Sequence, residues 1–404
     1  MILRPHQEQD SKKGLKILLK HHLFYYMAEV RTGKTATALT IAKVFSNVLF
    51  VTKKKAIGSI LSDFEKLGYS YTLEVINYES MHKLDPSVKW DLIIVDEAHR
   101  IGSFPKPCKA LKQIKLLNCD YHIFLSGTPT AESWSQIFHQ LNASRYSPFA
   151  AHTNFYKWAN TYVNKKIKYL AHGMTANDYS EGRLNLILPA IEHIVITRSQ
   201  EEVGFKSVIN DQILTVQMED KTYKIANRLL RDEIVIGKSG VILADTGAKM
   251  QQKLMQIYSG HCKLEDELTT TFDMTKANFI KERFKGKRIG IFYVFKAEWR
   301  MIKEVFGEDV TQDTDDKGKN VAGQITSIRE GVSLKHMDAL VFFNIHHSHI
   351  SYQQARDRMN GLEVLENNVY FVFAKGGIEE KIYKVVTVDK KKYNITAFRK
   401  DYDF

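Results

Sequence analysis

The stretch Trp90 to His99, WDLIIVDEAH, constrains this chain more than any other. Leu92, Ile93, Ile94 and Val95 present no polar face, so a strand here must be covered on both sides, as strands of a parallel sheet flanked by helices are. The run then ends in two adjacent carboxylates, Asp96 and Glu97. A solvated acidic turn explains an Asp-Glu pair in general, but it explains poorly one set at the tip of a wholly apolar strand. Ligands of open α/β sheets bind just beyond the carboxyl ends of the strands.

A second stretch supplies what such a site would hold. Phe24 to Ile41, FYYMAEVRTGKTATALTI, reads as a tight turn followed by a helix, because Arg31, Thr32, Gly33, Lys34 and Thr35 lead into a run of good helix formers, Ala36 to Ala42. Backbone N–H groups at such a turn point at an anion, the helix dipole adds positive potential, and the lysine reaches the outer phosphates. Against G-x-x-x-x-G-K-[ST], the segment matches at Gly33, Lys34 and Thr35 and has Ala28 where the first glycine stands. Beside this cradle, Thr35 and Asp96 are the expected Mg²⁺ ligands and Glu97 the group that orients or deprotonates a water.

Strands alternate with helices around these motifs. Helical spacing is expected over Glu8–Lys20 and Ala56–Leu67, and strands over Asn47–Thr52, Thr72–Asn77, Trp90–Val95 and Tyr121–Leu125, giving an α/β, doubly wound parallel sheet. Further on, Thr275–Phe284 and Lys296–Phe306 read as helices, Lys287–Phe295 and Ala339–Asn344 as strands. Between the halves, Trp134 to Lys168 is rich in aromatics and lysines, expected as the core of a helical extension with its lysines outward. Glu219 to Cys262 looks helical.

At 404 residues, with 44% hydrophobic and 26% charged content, the chain is long enough for two globular domains, and disorder is excluded. A net charge of +12 favours a polyanionic partner, nucleic acid first, and fits a merely soluble basic protein as well. Cys108, Cys119 and Cys262 have no C-x-x-C spacing and cannot all pair, which suits a reducing compartment. No apolar run reaches the length of a membrane span, and the first ten residues lack a signal-peptide core, so a cytoplasmic location without membrane is expected. His346, His347 and His349 sit in a strand exit without neighbouring cysteine or carboxylate clusters and are not read as a metal site.

The motifs occur in the order of a known family. LRPHQ (3–7) resembles the Q-motif, EVRTGKT (29–35) motif I, LFVTKKKAI (49–57) motif Ia, VINYESM (75–81) motif Ib, DEAH (96–99) motif II and SGTPT (126–130) motif III of superfamily 2 helicases and translocases, nearest in flavour to the Swi/Snf-type and phage-encoded branched-DNA helicases. Gly323–Leu334 is similar to motif V. Tyr352–Gly361 is similar to motif VI, with Gln354 and Arg358 in its functional places and Gly361 where a final arginine is expected.

The resemblance implies two RecA-like domains with helical insertions: residues 1–210, with an extension at about 131–190, and 211–404, with an insertion at about 219–262. It implies ATP and Mg²⁺ as cofactors, Gln7 at the adenine base, Arg31 and Thr32 in the cradle, and Arg358 neutralising charge on the γ-phosphate, with Arg356 a possible substitute for the missing partner. The nucleic-acid contacts it implies are Lys53, Lys54, Tyr78, Thr128 and Ser327. DNA is expected over RNA, with branched or forked substrates, in the host cytoplasm if phage-encoded. An RNA helicase or restriction-system motor, and a nucleic-acid-binding module that ATP switches with little turnover, stand as alternatives.

Overall fold

The computed structural model describes residues 2–130, 133–169, 175–204, 208–328, 334, 336–347, 352 and 366–387. It divides into two compact units, Met1–Phe205 and Lys206–Phe404.

The first unit opens with α1 (Pro5–His21), β1 (Leu23–Ala28), α2 (Lys34–Ile41), β2 (Asn47–Thr52), α3 (Ile57–Leu67), β3 (Thr72–Asn77) and β4 (Lys89–Asp96). It continues through α4 (Lys109–Ile114), β5 (Asn118–Ser126), α5 (Gln136–Leu141), α6 (Phe155–Tyr162), β6 (Lys166–Tyr169), β7 (Thr175–Asp178), α7 (Leu184–Ile191) and β8 (Val195–Arg198). Six of its strands form one sheet in the order β3-β2-β4-β5-β1-β8, and every pairing is parallel.

Alternate residues feed two cores. Leu23, Tyr25, Leu49, Val51, Ile93, Val95 and Phe124 pack on α4 to α7, while Phe24, Tyr26, Val48, Phe50, Leu92, Ile94, Ile123 and Leu125 pack on α1, α2 and α3. A strand with apolar side chains on both faces requires helices on both, and LIIV has them. Because the strands run parallel, β1, β4 and β5 all deliver their carboxyl ends to one edge.

The second unit contains β9 (Val208–Val216), α8 (Asp220–Asp232), β10 (Ile234–Gly237), β11 (Gly240–Leu243), α9 (Gly247–Tyr258), β12 (His261–Lys263), β13 (Thr269–Thr271) and α10 (Thr275–Arg283). It ends with β14 (Ile289–Tyr293), α11 (Lys296–Phe306), β15 (Val310–Thr311), β16 (Asn320–Gln324), α12 (Ile325–Ile328), β17 (Ala339–Phe342), β18 (Glu366–Ala374) and α13 (Ile378–Thr387). Its sheet, β15-β16-β14-β17-β18-β9, is again wholly parallel. Helices α8, α9 and α13 cover one face, α10 and α11 the other. Both units are α/β with doubly wound, RecA-like sheets.

Two helical expectations need correction. The extension holds a hairpin, with Lys166 opposite Asp178 and Tyr169 opposite Thr175, because the apolar residues of KIKY alternate with lysine at the period of a strand. The stretch 219–262 holds another, β10 with β11. There the β-branched runs Ile234–Ile236 and Val241–Ile242 flank a turn whose Gly240 has φ +131°, a backbone angle glycine accepts readily. The aromatics of the extension do form core: Phe138, Phe155 and Trp158 are buried, Tyr156 is exposed.

Candidate active site

The cradle begins where β1 ends. Ala28 lies in the strand, paired with Arg198 of β8, so its backbone needs no glycine and the departure from the motif costs nothing. The positive φ values fall on Arg31 (+64°) and Gly33 (+89°). A Cβ at Gly33 would lie 1.9 Å from Gln7 Nε2, which fixes glycine there twice over. Lys34 opens α2, and its ammonium donates to the carbonyls of Ala28 at 2.7 Å and Glu29 at 2.9 Å. Thr32 Oγ1 donates to Glu29 O at 2.8 Å, bracing the turn. Thr35 is half-buried in the first turn of α2.

Helix α1 holds the cradle from behind. Gln7, expected at the adenine base, is buried; its Oε1 accepts from Arg4 N at 2.8 Å and its Nε2 donates to Gly33 O at 3.3 Å. Asp10, also buried, receives Tyr26 OH at 2.6 Å and both arms of Arg198, Nε at 3.0 Å and the outer nitrogen at 2.5 Å. Such a fork-on-carboxylate bond is directional as well as strong. It ties α1, β1 and β8 together, and Gln200 carries the tie onward, donating from N to Glu29 Oε2 at 2.7 Å and from Nε2 to Val30 O at 3.0 Å.

Asp96 stands at the tip of β4, with β5 between it and the cradle strand. Thr52 Oγ1 donates to its carboxylate at 2.8 Å, and the Tyr78 hydroxyl donates to its backbone carbonyl. Burial, and then the neighbouring charge of Glu97, push the Asp96 carboxyl up to about 6, against the Thr52 bond and the charges of Lys34 and Lys53. Glu97 takes the left-handed backbone, φ +50° and ψ +49°, which costs a non-glycine residue on the order of 1 kcal/mol and marks a built turn. His99 Nδ1 lies 3.3 Å from Glu97 Oε2 and 3.1 Å from Ser126 Oγ.

Ser126 ends β5, and Gly127 follows it over the cradle, where an added Cβ would come within 3.4 Å of Ala28 O and 3.6 Å of Lys34 Nζ. Gln140 of α5 joins this turn to the core of β1: its Oε1 accepts from the Tyr25 hydroxyl and its Nε2 donates to Pro129 O at 2.6 Å. Sequence reasoning missed Thr52 and Gln140. The signal for Gln140 was a glutamine on a helix buried along its whole length, QIFHQL; Thr52 had none beyond its place at a strand end.

The other expected residues are distributed as follows. Tyr78 is buried against Asp96, and Thr128 donates from its backbone to Ser126 Oγ at 3.2 Å with its own hydroxyl oxygen buried. The Tyr78 hydroxyl is spent on the turn at Asp96, and the roles expected of Tyr78 and Thr128 at a nucleic acid stay proposals. Lys54 and Ser327 are exposed, whereas the ammonium nitrogen of Lys53 is buried. Gln354, Arg356, Arg358 and Gly361 lie outside the described residues, as do 329–333 of the motif V stretch.

A parallel α/β sheet with a phosphate cradle at one strand exit and paired carboxylates two strands away is the arrangement of a P-loop nucleotide site. The family model of the SNF2-related domain matches residues 47–269, more than half of the chain. The chain belongs to this family, the Swi/Snf-like branch of superfamily 2. It is 35% identical over 68 residues to chromodomain-helicase-DNA-binding protein 6 of Mus musculus, covering 17% of this chain and 2% of that protein. It is 28% identical over 188 residues to the chromatin-remodeling ATPase INO80 of Cryptococcus neoformans, covering 46% of this chain and 10% of that protein. The chain thus spans a tenth or less of these relatives. Among solved structures, the Sulfolobus solfataricus SWI2/SNF2 ATPase core in complex with dsDNA aligns with 100% of this chain and 95% of its own, at 15% identity and a TM-score of 0.43.

Proposed function

We propose that the protein is an ATP-driven DNA translocase that unwinds or remodels branched or forked duplexes. The observation that carries this reading is the meeting of Lys34, Asp96 and Glu97 at one sheet edge, close enough for the lysine charge to act on the aspartate. In this reading Arg31, Thr32, Gly33 and Lys34 receive the phosphates, and Glu97, held by His99 and a strained backbone, orients the attacking water. Gln7, which the resemblance assigns to the adenine base, also fixes the cradle to α1.

The donors fit Mg²⁺. Asp96 offers a half-buried carboxylate beside the charge of Glu97, a state that a hard cation relieves, and Thr35 offers a hydroxyl at the start of α2. Mg²⁺ held there would neutralise phosphate charge. The chain's own contribution is to hold Asp96 from two sides, through Thr52 and Tyr78. To Arg358 and Gln354, on the strength of the motif VI resemblance, we assign the sensing of the γ-phosphate.

The net charge of +12 supports a grip on DNA phosphates, sequence-tolerant and salt-sensitive. Lys54 and Ser327 are the exposed candidates for it. The test is ATP hydrolysis with duplex DNA, single-stranded DNA and RNA, followed by strand displacement on forked, three-way and four-way DNA. Stimulation by duplex and displacement on junctions is expected; stimulation by RNA alone would replace this reading with an RNA helicase.

A further inference from the structure

We infer that Lys53 belongs to the nucleotide site, as a second cation that holds the Asp96 and Glu97 carboxylates in place for hydrolysis, instead of gripping the nucleic-acid backbone. The inference rests on the reading of the first unit as an ATP-hydrolysing domain and adds a positioning residue to it.

The register of the sheet places it. β2 pairs with β4 in parallel, with Phe50 beside Ile94 and Val51 beside Val95. Carried one residue further, the same register sets Thr52 beside Asp96; Lys53 and Glu97 are the next residue of each strand exit, Glu97 in the left-handed backbone. Thr52 does reach Asp96, at 2.8 Å, so the neighbourhood persists past the last ladder pair.

The side chain agrees with the backbone. The Lys53 ammonium nitrogen is buried, whereas the side chains of Lys54 and Lys55 that follow are exposed. A lysine that grips a DNA phosphate keeps its head at the surface, and an ammonium is withdrawn from water only where opposite charge compensates. The opposite charge at this edge is Asp96 and Glu97, and the positive charge of Lys53 acts on Asp96 alongside that of Lys34.

The two lysines approach from opposite sides. Lys34 follows β1 and Lys53 follows β2, and in the sheet β4 lies between those strands, next to β2 and one strand from β1. Two adjacent carboxylates repel each other, and a triphosphate adds to the repulsion. Lys34 is drawn toward the phosphates by its place in the cradle. Lys53 stays with the carboxylates and offsets their repulsion where Glu97 must keep its charge and its aim.

The test uses the full chain and three variants, Lys53→Met, Lys53→Gln and Lys53→Arg, with wild type beside them. Steady-state ATP hydrolysis gives kcat and KM, and duplex binding over a range of salt gives the slope of log K against log salt. The expected result is a kcat lowered about tenfold in Lys53→Met, with KM changed much less, and most of the rate recovered in Lys53→Arg. Duplex affinity and its salt slope stay at wild-type values. A salt slope smaller by about one with kcat intact overturns the inference and returns Lys53 to the DNA backbone. If the methionine variant fails to fold, Lys53→Gln carries the same comparison. A wild type without DNA-stimulated hydrolysis removes the underlying reading as well; a wild type that turns over beside a Lys53→Met that keeps its kcat removes the role of Lys53 alone.

Discussion

In the first unit Asp96 stands at a strand tip with one hydroxyl bonded to it and two lysines acting from either side, and its carboxyl is pushed up. In the second unit two carboxylates are buried at least as deeply, and each is held by groups of the fold itself, although burial still pushes the Glu379 carboxyl up. Glu379 pairs with Lys276, both side chains being wholly inaccessible. Glu298 accepts from the backbone of Val294 at 2.7 Å and Phe295 at 2.9 Å and from Asn344 Nδ2 at 2.7 Å, with His261 at 3.9 Å. Burial alone would push Glu298 up, but these donors outweigh it and hold its carboxyl below the ordinary range. The same sheet plan is thus used once to leave a charge poised for a ligand and once to consume charge within the fold.

The largest test of this contrast concerns what the second unit gives to chemistry. Arg358→Ala is expected to lower kcat for ATP hydrolysis by about a factor of 10³, the scale of a lost arginine finger, with the melting temperature unchanged. Steady-state kinetics check it, and a rate near wild type would shift the role to Arg356.

The closed pair should behave in the reverse manner. Glu379→Ala leaves Lys276 charged and buried, and urea unfolding should show a loss of about 3 to 5 kcal/mol. Replacing both, Lys276→Met with Glu379→Leu, should recover most of it. If the single change is tolerated, the pair is not closed in the sense described.

The poised carboxylate gives the opposite sign. Its folded-state pKa lies above the usual value near 4, so the folded form holds a proton that the unfolded chain releases, and stability without nucleotide falls as pH rises from about 4 to about 6. Asp96→Asn removes that cost. At pH 7 it should stabilise the first unit by about 1 to 3 kcal/mol, read as a melting-temperature rise of several degrees, while hydrolysis is lost. At pH 4 the gain should vanish. The smallest effect is expected at the surface: Lys54→Ala should reduce the salt slope of duplex binding by about one and leave kcat intact.

Much of this frame was legible in the chain. β2, β3 and α11 fall on the residues expected, because each is a short apolar or amphipathic run with clear ends. The cradle and the carboxylate pair were legible because their chemistry needs fixed residue types at fixed spacing. The hairpins at 166–178 and 234–243 were not, since four-residue strands carry too few periods to stand out from a helical neighbourhood. The surroundings of Tyr78 and Lys53 were not legible for a different reason. A hydroxyl or an ammonium at a strand exit reads the same in sequence whether it faces solvent or the next strand, and only the register of β2 against β4 decides.

The most direct measurement is the rate of ATP hydrolysis by the full chain with and without duplex DNA, in wild type and in Glu97→Gln, with nucleotide binding measured in parallel. The account predicts that duplex accelerates the wild type and that Glu97→Gln still binds ATP while losing about 10² to 10⁴ in rate. Hydrolysis in Glu97→Gln as fast as in wild type, or a wild type indifferent to duplex, would contradict it.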